Sequence, residues 1–307
     1  MEKLNLKVDE ENSGERIDKY LTNCIKDKSR SFIQNLLKEG NITVNEKEVK
    51  SNYKLSQNDE ITVIIPDPVE ITLEAQKIPI DILYEDDDIL IVNKPKGMVV
   101  HPSNGHLEGT LVNAIMYHCK DELSGINGEI RPGIVHRIDM DTTGSLIVCK
   151  NDVAHQFIAD QIAVHSVNRI YEGIVYGVIK EDEGTIHTLI GRSKNDRKKM
   201  AVVKENGKDA ITHFKVLERF KNATYVRFKL ETGRTHQIRV HMASIHHPLL
   251  GDEVYGPKKQ LYKGLQGQTL HAKTIGLIHP STKEYLEVQA PLPAYFVELL
   301  DKLRKTT

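Results

Sequence analysis

Apolar positions recur at helical spacing near the start of the chain. Ile17, Tyr20, Leu21 and Cys24 form one such set, and Ile33, Leu36 and Leu37 the next. The second helix begins at Ser29-Arg30-Ser31, where a serine is available as N-cap, and Gly40 is placed to end it. Alternation then takes over: a strand at Ile42-Thr43-Val44, a turn at Asn45-Glu46-Lys47, a short return at Glu48-Val49, and a strand over 61–65 stopped by Pro66. Pro66-Asp67-Pro68 opens a connector that runs to Pro79. Beyond it the pattern predicts strands at 80–84, 88–92, 144–150, 168–178, 184–190, 211–219, 224–231 and 269–279. It predicts helices at 110–119, 152–165, 235–245 and 293–304. Strands outnumber helices and often follow one another directly. The reading is therefore α+β: a mixed, largely antiparallel sheet over 80–307, preceded by a small α/β domain over 1–66 and a linker over 67–79.

Bulk composition removes some classes. The 307 residues are 39% hydrophobic and 28% charged with a formal net charge of −1, so there is no global basic field, and any polyanion must be met by a local patch. Cys24, Cys119 and Cys149 form no C-x-x-C, which disfavours a disulfide framework and fits a reducing cytoplasm. The first residues lack the apolar core of a signal peptide. No run approaches the ~18 apolar residues of a membrane span. A monomer with no membrane partner is expected.

Three polar clusters could carry chemistry. Gly133 to Gly144 sets Asp139 among His136, Arg137, Thr142 and Thr143, just before the apolar run Leu146–Cys149. Arg169-Ile170-Tyr171-Glu172-Gly173 opens a strand. Leu230 to His241 leaves a strand through Gly233 and enters a helix. An arginine beside a glycine at a strand end can meet a carboxylate and favour its ionised form, and an ionised carboxylate can act as a nucleophile. A tyrosine can stack on a planar ring. On residue types alone, a structural Asp–Arg bridge beside a core tyrosine ranks ahead of catalysis.

Metal chemistry is disfavoured. His236 and His241 lie five apart, not on one helical face, although there are 14 histidines in all. His136 reads as a hydrogen-bonded structural histidine. Glu85-Asp86-Asp87-Asp88 reads as a solvated turn, because EF-hand spacing is absent. Arg192 to Lys208 holds seven Lys/Arg against Asp196 and Glu205, which suits phosphate contact or a plain solvated loop about equally. Lys26, Lys28, Arg30 and Lys38 surround the second helix, but residues 1–66 carry eleven basic against twelve acidic side chains.

Taken together, five segments resemble the RluA/RluD family of RNA pseudouridine synthases. They are Asn93–Pro102, His136–Gly144, Thr232–His241, His247–Asp252 and Leu270-His271-Ala272, in the family's order over about 80–300. Residues 14–60 resemble the small RNA-binding module named for a small-subunit ribosomal protein of the S-four type, through Gly14, Arg16, Ser29, Arg30, Gly40, Val44 and Asn45. Ile138 and Thr143 stand where leucine and serine are more usual, and Gly173 where alanine is common; none of these changes removes a functional group.

The resemblance implies an isomerisation that needs no cofactor and no metal. Asp139 attacks a uridine turned out of its RNA, at the base or the sugar. The uracil detaches, rotates and rejoins through carbon 5. Tyr171 stacks on the base and helps move the carbon-5 proton, Arg234 pairs with Asp139, and Arg137 fills the gap left in the RNA. His136, Thr142, Arg239, Arg192 and Arg197 complete the expected RNA and base-flipping contacts. Arg16, Ser29, Arg30 and Lys38 are those of the N-terminal module, which orients RNA through its backbone. Large-subunit (23S) ribosomal RNA is the favoured substrate. A transfer-RNA enzyme, a non-catalytic ribosome-assembly factor and a metal-dependent RNA hydrolase stand as alternatives.

Overall fold

The structure, a computed structural model, describes residues 2–25, 30–65, 73–102, 107–120, 122–126, 132–193, 196, 199–259, 261–262 and 264–306. The chain divides into two compact units, Met1–Ile71 and Thr72–Thr307.

In the first unit β1 (Glu2–Lys7), β2 (Ile42–Val44), β3 (Lys47–Glu48) and β4 (Glu60–Ile65) form an antiparallel sheet in the order β1-β4-β2-β3. Helices α1 (Ile17–Cys24) and α2 (Arg30–Lys38) share a core with the sheet, built from Ile17, Leu21, Ile33, Leu36, Ile42, Ile61 and Val63. The β2–β3 turn needs positive φ at Asn45 (49°) and Glu46 (65°). Asn45 suits it because its side chain is held on both sides: its amide donates to Asp59 and its oxygen accepts from the Glu60 amide. Strand β1 lies outside the sequence reading, although Leu4, Leu6 and Val8 alternate with polar residues. Ser29, the expected N-cap, falls outside the described residues, as do Lys26 and Lys28.

The second unit carries one ten-stranded sheet. Its strands are β5 (Ile82–Glu85), β6 (Ile89–Lys94), β7 (Thr143–Cys149), β8 (Asn168–Tyr176), β9 (Glu183–Arg192), β10 (Met200–Val203), β11 (Lys208–Arg219), β12 (Ala223–Leu230), β13 (Leu270–Ile278) and β14 (Tyr285–Gln289). The order is β10-β9-β11-β12-β8-β13-β7-β6-β5, with β14 also on β13. Of these pairings only β13–β7 is parallel, joining His271 to Thr143 and Ala272 to Gly144. Strand β13 is thus the seam between β5–β7 and β8–β12. The α+β, largely antiparallel reading holds. The two strands it missed, β10 and β14, are short hairpin partners with weak alternation.

Alternation in the central strands feeds two cores. Leu90, Val92, Leu146 and Val148 face α3 (Leu111–Cys119), and Ile89, Ile91, Ile147 and Cys149 face α4 (Asp152–Ala163). Both faces of β7 are buried, which is why its sequence is a continuous apolar run. Helix α5 (Gln237–Ser244) adds Ile238 and Met242 to the α3 side, while α6 (Ala294–Arg304) closes a third core with Phe296, Leu299 and Leu300. Gly144 (φ +108°) has no room for a side chain, since a Cβ would overlap the Ala272 carbonyl across the parallel pair. Gly173 is also crowded: a Cβ would stand 2.9 Å from a Leu249 methyl, which accounts for glycine at this position. Among the described residues no helix is long and apolar enough to cross a membrane.

Candidate active site

Asp139 sits in the turn that leads into β7. Its carbonyl accepts from the Thr142 amide at 3.0 Å. The next residue, Met140, is pinned from beneath, where its carbonyl accepts from the Gly97 amide (3.1 Å) and from Lys94 Nζ (2.8 Å). Lys94 is fully buried and donates also to the Pro95 and Met98 carbonyls. Burial draws its pKa down to about 7, against the pull of Asp141 and Asp139. The Asn93-Lys94-Pro95-Lys96-Gly97 segment is therefore a clamp on the turn that carries Asp139, rather than a wall of the pocket.

The third polar cluster is held by Gln237. Its side-chain oxygen accepts from Thr232 and from the Arg234 amide, and its amide donates to the Ile211 carbonyl and to Thr212. The chain then enters α5 through His236 in a left-handed conformation (φ 56°, ψ 22°). That entry aims Arg239, one turn in, at Asp139.

The partner of Asp139 is Arg239, not Arg234. Arg239 Nη1 donates to Asp139 Oδ2 at 3.0 Å. On its other side Arg239 is held by Asp252, through Nε–Oδ2 at 2.7 Å and Nη2–Oδ1 at 3.0 Å. Asp252 is completely buried and also accepts from the Val254 and Tyr255 amides. Burial alone would raise the Asp252 pKa, but the Arg239 hydrogen bonds and charge outweigh it and the net shift is downward. Arg234 precedes the helix, and its Nε donates to the Asp209 carbonyl at 2.7 Å. Spacing misled because both arginines lie in one motif, and only the helix entry at His236 decides which of them points inward.

Asp139, Tyr171, Arg234 and Arg239 nevertheless line one cavity of about 540 Å³, within the ~300–1,000 Å³ of small-ligand sites. His136, Arg137 and Thr142 line it too. Tyr171 is buried, and burial, aided by the Asp139 charge, pushes its pKa up against the opposing pull of Arg169, so the phenol stays protonated at neutral pH. His236 Nε2 stands 3.8 Å from Asp139 Oδ1, and its Nδ1 meets the Tyr255 hydroxyl at 2.9 Å. Burial holds the His236 pKa below the ordinary value.

The remaining expected contacts divide. His136 Nε2 accepts from the Ile147 amide at 2.9 Å, and burial lowers its pKa to about 3; it is a neutral fastener between the Asp139 turn and β7. Thr142 is buried against Gln268. Arg239 is consumed by two carboxylates, so the expected RNA contact becomes an internal one. Arg137 is exposed, within 3.4 Å of His101 Nε2. Arg192 is exposed at the end of β9, and Lys199 donates to the Val254 carbonyl. Arg197 lies outside the described residues. In the first unit Arg16 and Arg30 both grip the buried Asp18, at 2.9 and 3.0 Å, while Lys38 is exposed in the last turn of α2. Arg169, named in the sequence only as part of a cluster, also lines the cavity.

Among the described residues no zinc-like cluster joins the histidines of the third motif. His241 is shared between Thr212 and Thr188, and His247 meets the Tyr176 carbonyl. Among the described residues Asp86, Asp88 and His279 lie close enough to hold a metal ion. His279 Nδ1 there accepts from the Ser281 and Thr282 amides, which leaves the proton on Nε2, directed at Asp86 at 2.7 Å. Asp86 also accepts from the Asp88 and Ile89 amides, so the acidic run is a hydrogen-bonded turn before β6.

Known proteins resemble this chain along most of its length. Residues 88–244 match the family model described as RNA pseudouridylate synthase, and residues 15–61 match the S4 domain. The chain is 52% identical over 305 residues to the uncharacterized RNA pseudouridine synthase YlyB of Bacillus subtilis, covering 99% of each chain. It is 45% identical over 293 residues to the ribosomal large subunit pseudouridine synthase D of Zymomonas mobilis, covering 92% of each. The protein of that name from Pseudomonas aeruginosa is 42% identical over 303 residues, with 95% of this chain and 93% of that one covered. The solved structure of human RNA pseudouridylate synthase domain containing 1 superposes with a TM-score of 0.58 at 25% identity, over 78% of this chain and 98% of that one. With an S4 domain ahead of its catalytic unit, the chain belongs to the RluA/RluD family of RNA pseudouridine synthases.

Proposed function

We propose that this enzyme converts uridine to pseudouridine in large-subunit ribosomal RNA, with Asp139 as the nucleophile toward a uridine turned out into the cavity. The observation that carries the reading is the Arg239–Asp139 contact inside a pocket that also holds Tyr171. Arg239 is itself clamped by Asp252, so the carboxylate faces the cavity with its partner already oriented. The attack splits a hard exchange into two easier steps: overall the N1–C1′ bond breaks, a C5–C1′ bond forms, N1 gains a proton as carbon 5 loses one, and the bond to Asp139 is broken again to restore the carboxylate. Tyr171 contributes a ring face for the base and a phenolic O–H, not a phenolate. Turning the uridine out costs a few kcal/mol, least where it is already unpaired, which favours loops and bulges as targets. The choice of RNA rests on relatives named for the ribosomal large subunit, similar along more than nine-tenths of the chain.

The test is Asp139→Asn. Conversion of uridine in large-subunit RNA is expected to vanish, while RNA binding stays within about threefold of the parent protein. Full conversion by this variant would end the nucleophile assignment. Sequencing pseudouridines in ribosomal and transfer RNA from cells lacking the protein tests the substrate, since loss of sites confined to transfer RNA would overturn it.

A further inference from the structure

The cavity is lined by four arginines, 137, 169, 234 and 239, and by a single carboxylate, Asp139. Arg239 is already neutralised by Asp139 and Asp252. Among the described residues the other three have no carboxylate partner: Arg137 faces His101, Arg169 the Glu231 carbonyl and Arg234 the Asp209 carbonyl. Arg169 is the extreme case. It is 6% exposed, its Nη2 donates to Glu231 O at 2.9 Å, and its Nε is buried with no partner. A buried guanidinium without a carboxylate is costly unless an anion joins it.

Two features keep it there. Arg169 precedes Tyr171 by two residues on β8, so both side chains leave the same face of the strand. Gly233 makes the space, since a Cβ at that position would come within 2.6 Å of Arg169 Nη1. The backbone positions of Arg169 and Tyr171 thus stand one strand repeat, roughly 7 Å, apart.

Resting on the function proposed above, we propose that Arg169 binds the phosphodiester that flanks the target uridine. It is a binding residue for the polynucleotide backbone, and it favours a uridine within RNA over a free nucleoside. A guanidinium fork matches phosphate oxygens, which can meet two of its N–H groups at once.

The experiment uses RNA hairpins carrying a mapped target uridine, with one uncharged methylphosphonate linkage placed either 5′ or 3′ of it. Binding is measured on the full chain, in both the parent protein and the Asp139→Asn background. In each, one of the two linkages is expected to weaken binding about tenfold or more, as for a lost hydrogen bond to a charged group. Adding Arg169→Gln should reduce that penalty to less than about twofold. Arg169→Lys, which keeps the charge and guards against a folding defect, should retain an intermediate penalty. Equal penalties with and without Arg169 at both linkages would overturn the assignment. Because binding needs no turnover, an active Asp139→Asn enzyme would refute the nucleophile and leave this assignment standing.

Discussion

Asp252→Asn isolates the clamp behind Asp139. Asparagine keeps an oxygen for Arg239 Nη2 and for the Val254 and Tyr255 amides, but it turns an N–H₂ toward Arg239 Nε, where Oδ2 now accepts at 2.7 Å. One charge-assisted hydrogen bond is lost, worth about 1.5–3 kcal/mol, and the facing N–H is left unmet at about 1–3 kcal/mol. The sum, about 2.5–6 kcal/mol, brackets the ~3–5 kcal/mol usual for breaking a buried pair from one side. For a unit as large as Thr72–Thr307, each kcal/mol moves the melting temperature by about 2–4 °C, so a fall of about 10 °C is expected. Arg239 keeps only one of its two hydrogen bonds to position 252, and conversion of uridine should slow at least tenfold at temperatures where the variant is folded. A thermal melt and a single-turnover conversion assay on the same preparation read both effects. A melting temperature within about 2 °C of the parent protein, together with an unchanged rate, would show that Asp252 does not hold Arg239.

Acid sensitivity of the first unit should follow Asp18. Burial would raise its pKa, but hydrogen bonds from Arg16, Gln34 and Arg30 outweigh that and lower it to about 2. A depressed carboxylate stabilises the fold above its unfolded pKa and loses that effect as pH falls through the folded value, so the loss lies between about pH 4 and pH 2. The contribution is at most about 2 kcal/mol and less after solvent screening of the half-exposed arginines; denaturant titration of parent and Asp18→Asn should converge near pH 2. Gly144→Ala forces a methyl into the Ala272 carbonyl, and soluble, folded protein in normal yield would contradict the tight parallel seam. Removing residues 1–71 should weaken RNA binding and flatten its dependence on salt; an identical slope would mean that this unit carries no phosphate contacts.

Strong periodicity made most elements legible. The central strands of the second unit are long apolar runs between polar turns, so their positions follow from the sequence to within a few residues. Strands β1, β10 and β14 escaped because short edge or hairpin strands owe their pairing to distant partners, such as Glu2 with Ile65. The site was legible as a set of motifs but not as a wiring diagram. Asp139, Tyr171 and both candidate arginines were visible, yet the left-handed residue His236 decides that Arg239 turns inward. Asp252, the second anchor, lay inside a recognised motif, but no local signal ties it to a guanidinium 13 positions earlier. Arg169 was missed as a ligand-binding residue because a buried arginine usually has a carboxylate, and the lack of one shows only in three dimensions.

The parallel seam has a consequence for the timing of biosynthesis. Strands β5–β7, with the turn that bears Asp139, are made first, and β8–β12 follow, but their shared neighbour β13 reaches only to Ile278 near the end of the chain. A growing polypeptide therefore holds Asp139 for well over a hundred residues before the strand that fastens β7 to β8 has been synthesised. At about 5–20 residues per second, that is a delay of several seconds or more during which the chain has no assembled catalytic centre.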